Sequence, residues 1–188
     1  MMRQNSNGRF ATFTLERHVS APLAVLWEAW TAPAARALWS APSPAVTVEY
    51  IQADAVAGWR EVSICKVDGH PDIRCTSGWL LLEPLRRSVN TEVISSDGVE
   101  RSAALVTAEL SGDADHSRLV LTVQLSSLAE DMEADYREGF GAGLDNLAAV
   151  AERTMVLVRR IPAPRPVVWG AWMNTGTLPQ WWGPDGFS

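Results

Sequence analysis

The chain has 188 residues, a formal net charge of -6, 47% hydrophobic and 20% charged residues, which leaves room for one domain of ordinary size plus a remnant but not for two full domains. No apolar run approaches the roughly 20 residues that span a bilayer, and no Lys/Arg cluster larger than pairs such as Arg86-Arg87 and Arg159-Arg160 offers a footprint for phosphate backbones or anionic lipid. Neither nucleic acid nor a membrane is expected as a partner.

Residues 1–11 read as a polar tail without the apolar core of a secretory signal, so a cytoplasmic protein is expected. Cys65 and Cys75 are too few for a disulfide framework and are expected to be reduced.

The segment 12–46 recurs at 154–188 without a gap. Thr12, Leu15, Arg17, Ala21, Pro22, Val25, Trp27, Ala29, Trp30, Trp39 and Pro42 reappear as Thr154, Leu157, Arg159, Ala163, Pro164, Val167, Trp169, Ala171, Trp172, Trp181 and Pro184. Tryptophan is the residue least apt to coincide by accident. Residues 12–152 are therefore expected to form one domain, and 153–188 the opening of a second copy that lacks the sheet and closing helix.

Each copy reads as a strand, a helix started by proline and a short second helix. Phe13, Leu15 and Val19 mark the strand, and Pro22 stands where its missing N–H costs nothing. Trp27 and Trp30 lie one turn apart and belong to the core. From Val46 to Ser126 the pattern alternates between turns at 56–58, 68–71, 84–86, 95–98 and 112–115, which predicts about six antiparallel strands and a sheet of about seven.

Ser127-Leu128-Ala129-Glu130 has the spacing of a capping box, and Asp131, Glu133 and Asp135 follow where a helix dipole favours negative charge. Met132, Tyr136, Phe140, Leu144 and Ala148 make an apolar stripe down a long helix that must lie against the sheet. Gly139, Gly141 and Gly143 either bend that helix or allow close packing. The expected class is α+β with a helix-grip plan: a curved antiparallel sheet closed around an apolar cavity by its last helix, with two short helices after the first strand.

The residues Arg17-His18-Val19-Ser20-Ala21-Pro22, Val25-Leu26-Trp27-Glu28-Ala29-Trp30-Thr31 and Trp181-Trp182-Gly183-Pro184-Asp185-Gly186-Phe187 resemble the opening motif of the activator of heat-shock-protein-90 ATPase homologue (AHSA-like) family of the START-like (SRPBCC) superfamily. Gly58-Trp59-Arg60, Glu83-Pro84-Leu85-Arg86-Arg87 and Gly143-Leu144-Asp145-Asn146-Leu147 resemble its later turns and closing helix, whereas Val56-Ala57 replaces its usual Pro-Gly. The resemblance implies a hydrophobic cavity and, for most bacterial members, no assigned reaction; no cofactor is expected. The superfamily includes lipid carriers, polyketide aromatase/cyclases and co-chaperone domains, so fold does not choose between ligand binding, a cyclase or hydrolase reaction, and a chaperone-associated surface.

Around the turn at 68–71, Arg60, Lys66 and Arg74 occupy even positions, so the even face is solvated and the odd face concave. The odd face carries Trp59, Glu61, Ser63, Cys65, Cys75, Ser77 and Trp79, in an expected register that sets Cys65 opposite Cys75, Ser63 opposite Ser77 and Glu61 opposite Trp79. Small Ser and Cys side chains between two tryptophans leave volume for a small hydrophobic molecule, with Tyr136, Phe140 and Leu144 of the closing helix as the far wall, unless Tyr136 and Phe140 fill that volume themselves. Glu61 is the only carboxylate expected on that face of the hairpin. Burial favours a raised pKa and a general-acid role, while pairing with an arginine makes it structural. His18, His70 and His116 are scattered, so no metal site is expected. The tryptophan-rich fragment 154–188 cannot bury its apolar face alone and is expected to dock on the first domain or on a second copy.

Overall fold

A computed structural model describes residues 9–128, 131–154, 160–176 and 180–181. The chain divides into two compact units, Met1–Met155 and Val156–Ser188.

In the first unit, strand β1 (Arg9–Val19) is followed by helices α1 (Leu23–Thr31) and α2 (Pro33–Trp39), strands β2 (Val46–Gln52), β3 (Arg60–Val67), β4 (Ile73–Glu83), β5 (Arg87–Ser96), β6 (Val99–Gly112) and β7 (Ser117–Ser127), and helix α3 (Glu133–Arg153). The seven strands form one antiparallel sheet in the order β1-β7-β6-β5-β4-β3-β2. The helix-grip plan is therefore present, with six strands between α2 and α3. β1 starts at Arg9 rather than at residue 12, so residues 9–11 belong to the sheet.

Turn chemistry sets the hairpins. Asp97 and Gly98 both have positive φ, 53° and 73°, and join Ser96 to its partner Val99 as a two-residue turn whose twist suits the flanking strands. At the β3–β4 turn the expected register is displaced by two residues: Ser63 faces Cys75, Glu61 faces Ser77 and Cys65 faces Ile73. Because the displacement is even, the paired side chains from Arg60 to Cys65 and from Ile73 to Gly78 keep their expected faces. The two cysteines consequently stand on diagonal positions as free thiols.

The sheet carries two kinds of interior. On its β6–β7 side, Val106, Leu119, Leu121 and Val123 are fully buried with Leu26 of α1 and Leu144, Leu147 and Ala151 of α3 in a continuous apolar core. Arg17 of β1 fastens α3 across this core, its Nε donating to Asp145 Oδ1 at 2.6 Å and its Nη2 to the Gly141 carbonyl at 3.1 Å. Asn146 Nδ2 donates to the Ala41 carbonyl at 2.9 Å and fixes the segment after α2. On the β2–β5 side the concave face is left partly empty.

The start of α3 departs from the capping-box expectation. The helix begins at Glu133, where the N–H donates to Asp131 Oδ1 at 3.2 Å, and Ser127 Oγ accepts from the Met132 N–H at 3.2 Å. Asp131 thus serves the first turn, and Ala129 and Glu130 lie outside the described residues. α3 runs unbroken for 21 residues through its glycines. A Cβ on Gly143 would meet the Trp39 ring at 3.8 Å, so this glycine lies at ordinary contact distance from α2.

In the second unit, α4 (Arg165–Met173) follows Pro164, whose backbone angles of -57° and 140° match the -56° and 144° of Pro22 before α1. Trp181 Nε1 donates to the Ala171 carbonyl at 3.3 Å, as Trp39 Nε1 donates to the Ala29 carbonyl at 2.7 Å in the first unit. Most of the expected strand of the second copy, with Leu157 and Arg159, and the motif after Trp181 lie outside the described residues.

Candidate functional site

A cavity of about 410 Å³ lies between the concave face of β2–β5 and the first half of α3, with α2 at one end. Small side chains on the middle strands create it: Ser63 and Cys65 of β3 and Cys75 and Ser77 of β4 leave space that Leu or Phe would fill. Trp79 closes one end from the sheet, and Tyr136 and Phe140 close it from α3, their ring centroids 5.9 Å apart. These aromatic residues wall the cavity without filling it.

Of the residues expected at the site, Glu61, Ser63, Cys65, Cys75, Ser77, Trp79, Tyr136 and Phe140 line the cavity. Trp59 and Leu144 do not. Trp59 precedes β3, where Gly58 turns with a φ of 85° and interrupts the alternation, and its side chain is exposed although its carbonyl accepts the Trp79 N–H at 3.0 Å. Leu144 lies one turn beyond Phe140, where α3 meets the sheet core, and is fully buried there.

Two charged groups that the hairpin pattern does not reveal dominate the polar chemistry. Arg36, which α2 points inward, forks onto Glu61: Nη2 donates to Oε2 at 2.8 Å and Nη1 to Oε1, and Nη1 also donates to the Ala53 carbonyl at 3.3 Å. The guanidinium lies over the rings of Tyr50 at 4.9 Å and Trp79 at 5.5 Å. Glu61 is therefore an ion-paired structural carboxylate and not a free general acid. The Trp79 Nε1–H has no hydrogen-bond partner among the described residues.

The second group is Glu92, on the inward face of β5 with Asn90 and Ile94. It faces Tyr136 and Cys75. Burial pushes its carboxyl above the usual range, against the hydrogen bonds from Tyr136 and Cys75 that favour the charged form. Burial, and then the neighbouring Glu92, also raise the Tyr136 hydroxyl and both the Cys75 and Cys65 thiols. Tyr136 OH lies 3.0 Å from Ser102 Oγ, and Cys75 Sγ 3.6 Å from Ser77 Oγ. Protonated thiols are poor nucleophiles, so Cys65 and Cys75 serve as cavity wall.

No histidine lines the cavity among the described residues, and no group of three His, Cys, Asp or Glu there is arranged to hold a metal ion. The hairpin pattern missed Glu92 because it covered only β3 and β4. The even-numbered run Ser88, Asn90, Glu92, Ile94 was the available signal. For Arg36 the signal was weaker, a lone basic residue in the otherwise apolar helix Pro33–Trp39.

A curved antiparallel sheet gripped by a C-terminal helix over an internal cavity defines a START-like domain. The chain belongs to the family described as activator of Hsp90 ATPase homolog 1-like protein, whose sequence model matches residues 20–152. Similar solved structures include a protein of Rhizobium leguminosarum at 24% identity and a TM-score of 0.71, covering 79% of this chain and 98% of the other. The Mll3558 protein of Rhizobium loti is 26% identical with a TM-score of 0.68, covering 77% and 99%. DynU16, a protein of the dynemicin biosynthetic locus, is 23% identical with a TM-score of 0.52, and the similarity covers 76% of this chain and 47% of that one. A search of curated proteins matched none.

No described helix is long and apolar enough to cross a membrane.

Proposed function

We propose that the first unit binds a small hydrophobic molecule in the cavity between β2–β5 and α3, without covalent catalysis, as a cytoplasmic protein. The observation that carries this reading is the cavity itself. A row of Ser and Cys side chains on a strand pair is replaced in closely packed interiors by larger residues, and an apolar space with a few convergent polar groups is the usual form of a ligand pocket. Membership in a START-like family supports it. Against a reaction stand the Arg36–Glu61 pair and the two thiols held protonated, which leave Glu92 with Tyr136 as the groups a cyclase or hydrolase would have to use. Native mass spectrometry of the purified full chain tests the reading. A retained small molecule, lost when Ser63→Phe fills the cavity, is the expected result, and absence of any ligand together with failure to bind apolar probes would overturn it.

Residues 153–188 are, in this reading, the opening of a second START-like repeat. The matching proline geometry before α1 and α4 and the two equivalent tryptophan-to-carbonyl hydrogen bonds support it. The exposed Val167, Trp169 and Met173 give this segment an apolar surface, which supports association with a second copy of the chain. Protection of the segment from proteolysis in the full chain is expected, and rapid cleavage there would count against docking.

A further inference from the structure

The charges lining the cavity are unequal. Among the described residues its only basic side chain is Arg36, and both of that guanidinium's outer nitrogens are committed to Glu61. Two further carboxylates remain, Glu92 on the floor and Asp135, an exposed residue of α3. Neither forms an ion pair with a described residue.

The groups facing Glu92 are the Cys75 thiol from β4 and the Tyr136 hydroxyl from α3, with the Cys65 thiol of β3 further along the same wall. Beyond Tyr136 stands the neutral Ser102. None is a cation, so a carboxylate at Glu92 is unbalanced in an apolar enclosure, and burial favours its neutral form while the cavity holds no ligand. Tyr136 faces it, and the Phe140 ring lies 5.9 Å from the Tyr136 ring in the same cavity wall; the negative π-faces of such rings suit an ammonium or a flat apolar body. An anionic ligand would meet Glu92 and find no free cation with which to pair.

We propose that the cavity selects organic cations, a protonated amine carried on a flat apolar body, with the Glu92 carboxylate as counter-charge and Asp135 at the approach. This rests on the reading of the cavity as a ligand site. Binding favours the carboxylate form of Glu92, so a proton leaves to solvent from each molecule in which Glu92 was protonated before the ammonium ion pairs with it. Affinity for the amine therefore increases as pH rises through the Glu92 pKa, up to the pH at which the amine itself loses its proton.

The test uses the full chain and three fluorescent probes that share one aromatic body: 1-pyrenemethylamine, 1-pyrenemethanol and 1-pyrenecarboxylic acid, titrated by energy transfer from tryptophan. The amine is expected to bind on the order of tenfold or more tightly than the alcohol, and the acid most weakly. Glu92→Gln is expected to bring the ratio of amine to alcohol affinity close to one, with an unaltered circular dichroism spectrum reporting that the variant is folded. Should that variant fail to fold, the unaltered chain decides the matter: calorimetry over a series of pH values, in two buffers of different ionisation enthalpy at each, must show protons leaving with the amine at the acidic end of the series and not with the alcohol. Equal binding of amine and alcohol, or amine binding without proton release at any pH of the series, would overturn the pairing of the amine with Glu92 and leave the apolar cavity standing. No binding by any of the three would overturn both.

Discussion

Arg36 of α2 and Glu61 of β3 meet as a two-pronged ion pair inside the protein, with side chains only 10% and 3% exposed. The pair ties the second short helix to the sheet at one end of the cavity, and its orientation is held by the Tyr50 and Trp79 rings under the guanidinium. A buried pair of this kind is costly to break from one side, because the remaining charge has no compensation. Arg36→Ala is expected to destabilise the first unit by about 3–5 kcal/mol, measured by urea unfolding. Arg36→Met combined with Glu61→Leu should cost much less than Arg36→Ala, and equal losses would show that packing rather than charge dominates.

Tyr136 and Ser102 are both buried and share a hydrogen bond of 3.0 Å. Tyr136→Phe leaves Ser102 Oγ without that partner, so a loss of about 1–3 kcal/mol is expected. In the double variant with Ser102→Ala the part of the loss that arises at Ser102 should vanish, while the part that arises at Glu92, which also loses the Tyr136 hydroxyl, should remain; the full cycle of four unfolding curves checks this.

Glu92 makes stability depend on pH in a specific sense. Its carboxyl has a raised pKa in the folded chain, so the folded state holds the proton more tightly than the unfolded state, in which a Glu titrates at about 4.3. The stabilisation is complete below that value and is lost as pH rises through the folded pKa. Glu92→Gln removes this loss. The stability of the variant relative to the unaltered chain should therefore increase between pH 4 and neutrality, by unfolding at matched ionic strength, and a pH-independent difference would show that folding does not raise the Glu92 pKa.

Gly139 lies within α3 with nothing within 4 Å of the position its Cβ would take. Gly139→Ala should stabilise the helix by up to about 1 kcal/mol, which for a domain of this size is a rise in Tm of about 2–4 °C. A fall in Tm would show that Gly139 is needed for close approach after all. Because Gly139 also lines the cavity, the same change tests whether the helix glycines admit ligand: a weaker affinity for the pyrene alcohol alongside a higher Tm would separate the two roles.

Alternation made the faces of β3 and β4 legible before the register was known. Side chains on a strand alternate with period two, so the two-residue error at the 68–71 turn left Ser63, Cys65, Cys75 and Ser77 on the concave face. Trp59 was misplaced because a strand's alternation holds only as far as its backbone stays extended, and Gly58 turns it. Leu144 was misplaced because a stripe at helical spacing marks which side of α3 faces the sheet, not where along its length the sheet withdraws from it.

The order of strands and helices, the family, the concave face and the small side chains that empty it are written in local periodicity or in short motifs. The charge of the cavity is not, and is set only when the elements pack together. Whether Glu61 is a free acid or one half of an ion pair depends on Arg36, 25 residues away on a different element, and whether Glu92 meets a cation or only Tyr136 and Cys75 depends on how α3 lies across β4 and β5. Electrostatic partnership falls off within a few ångströms in space and is indifferent to separation along the chain, so no spacing rule in the sequence encodes it.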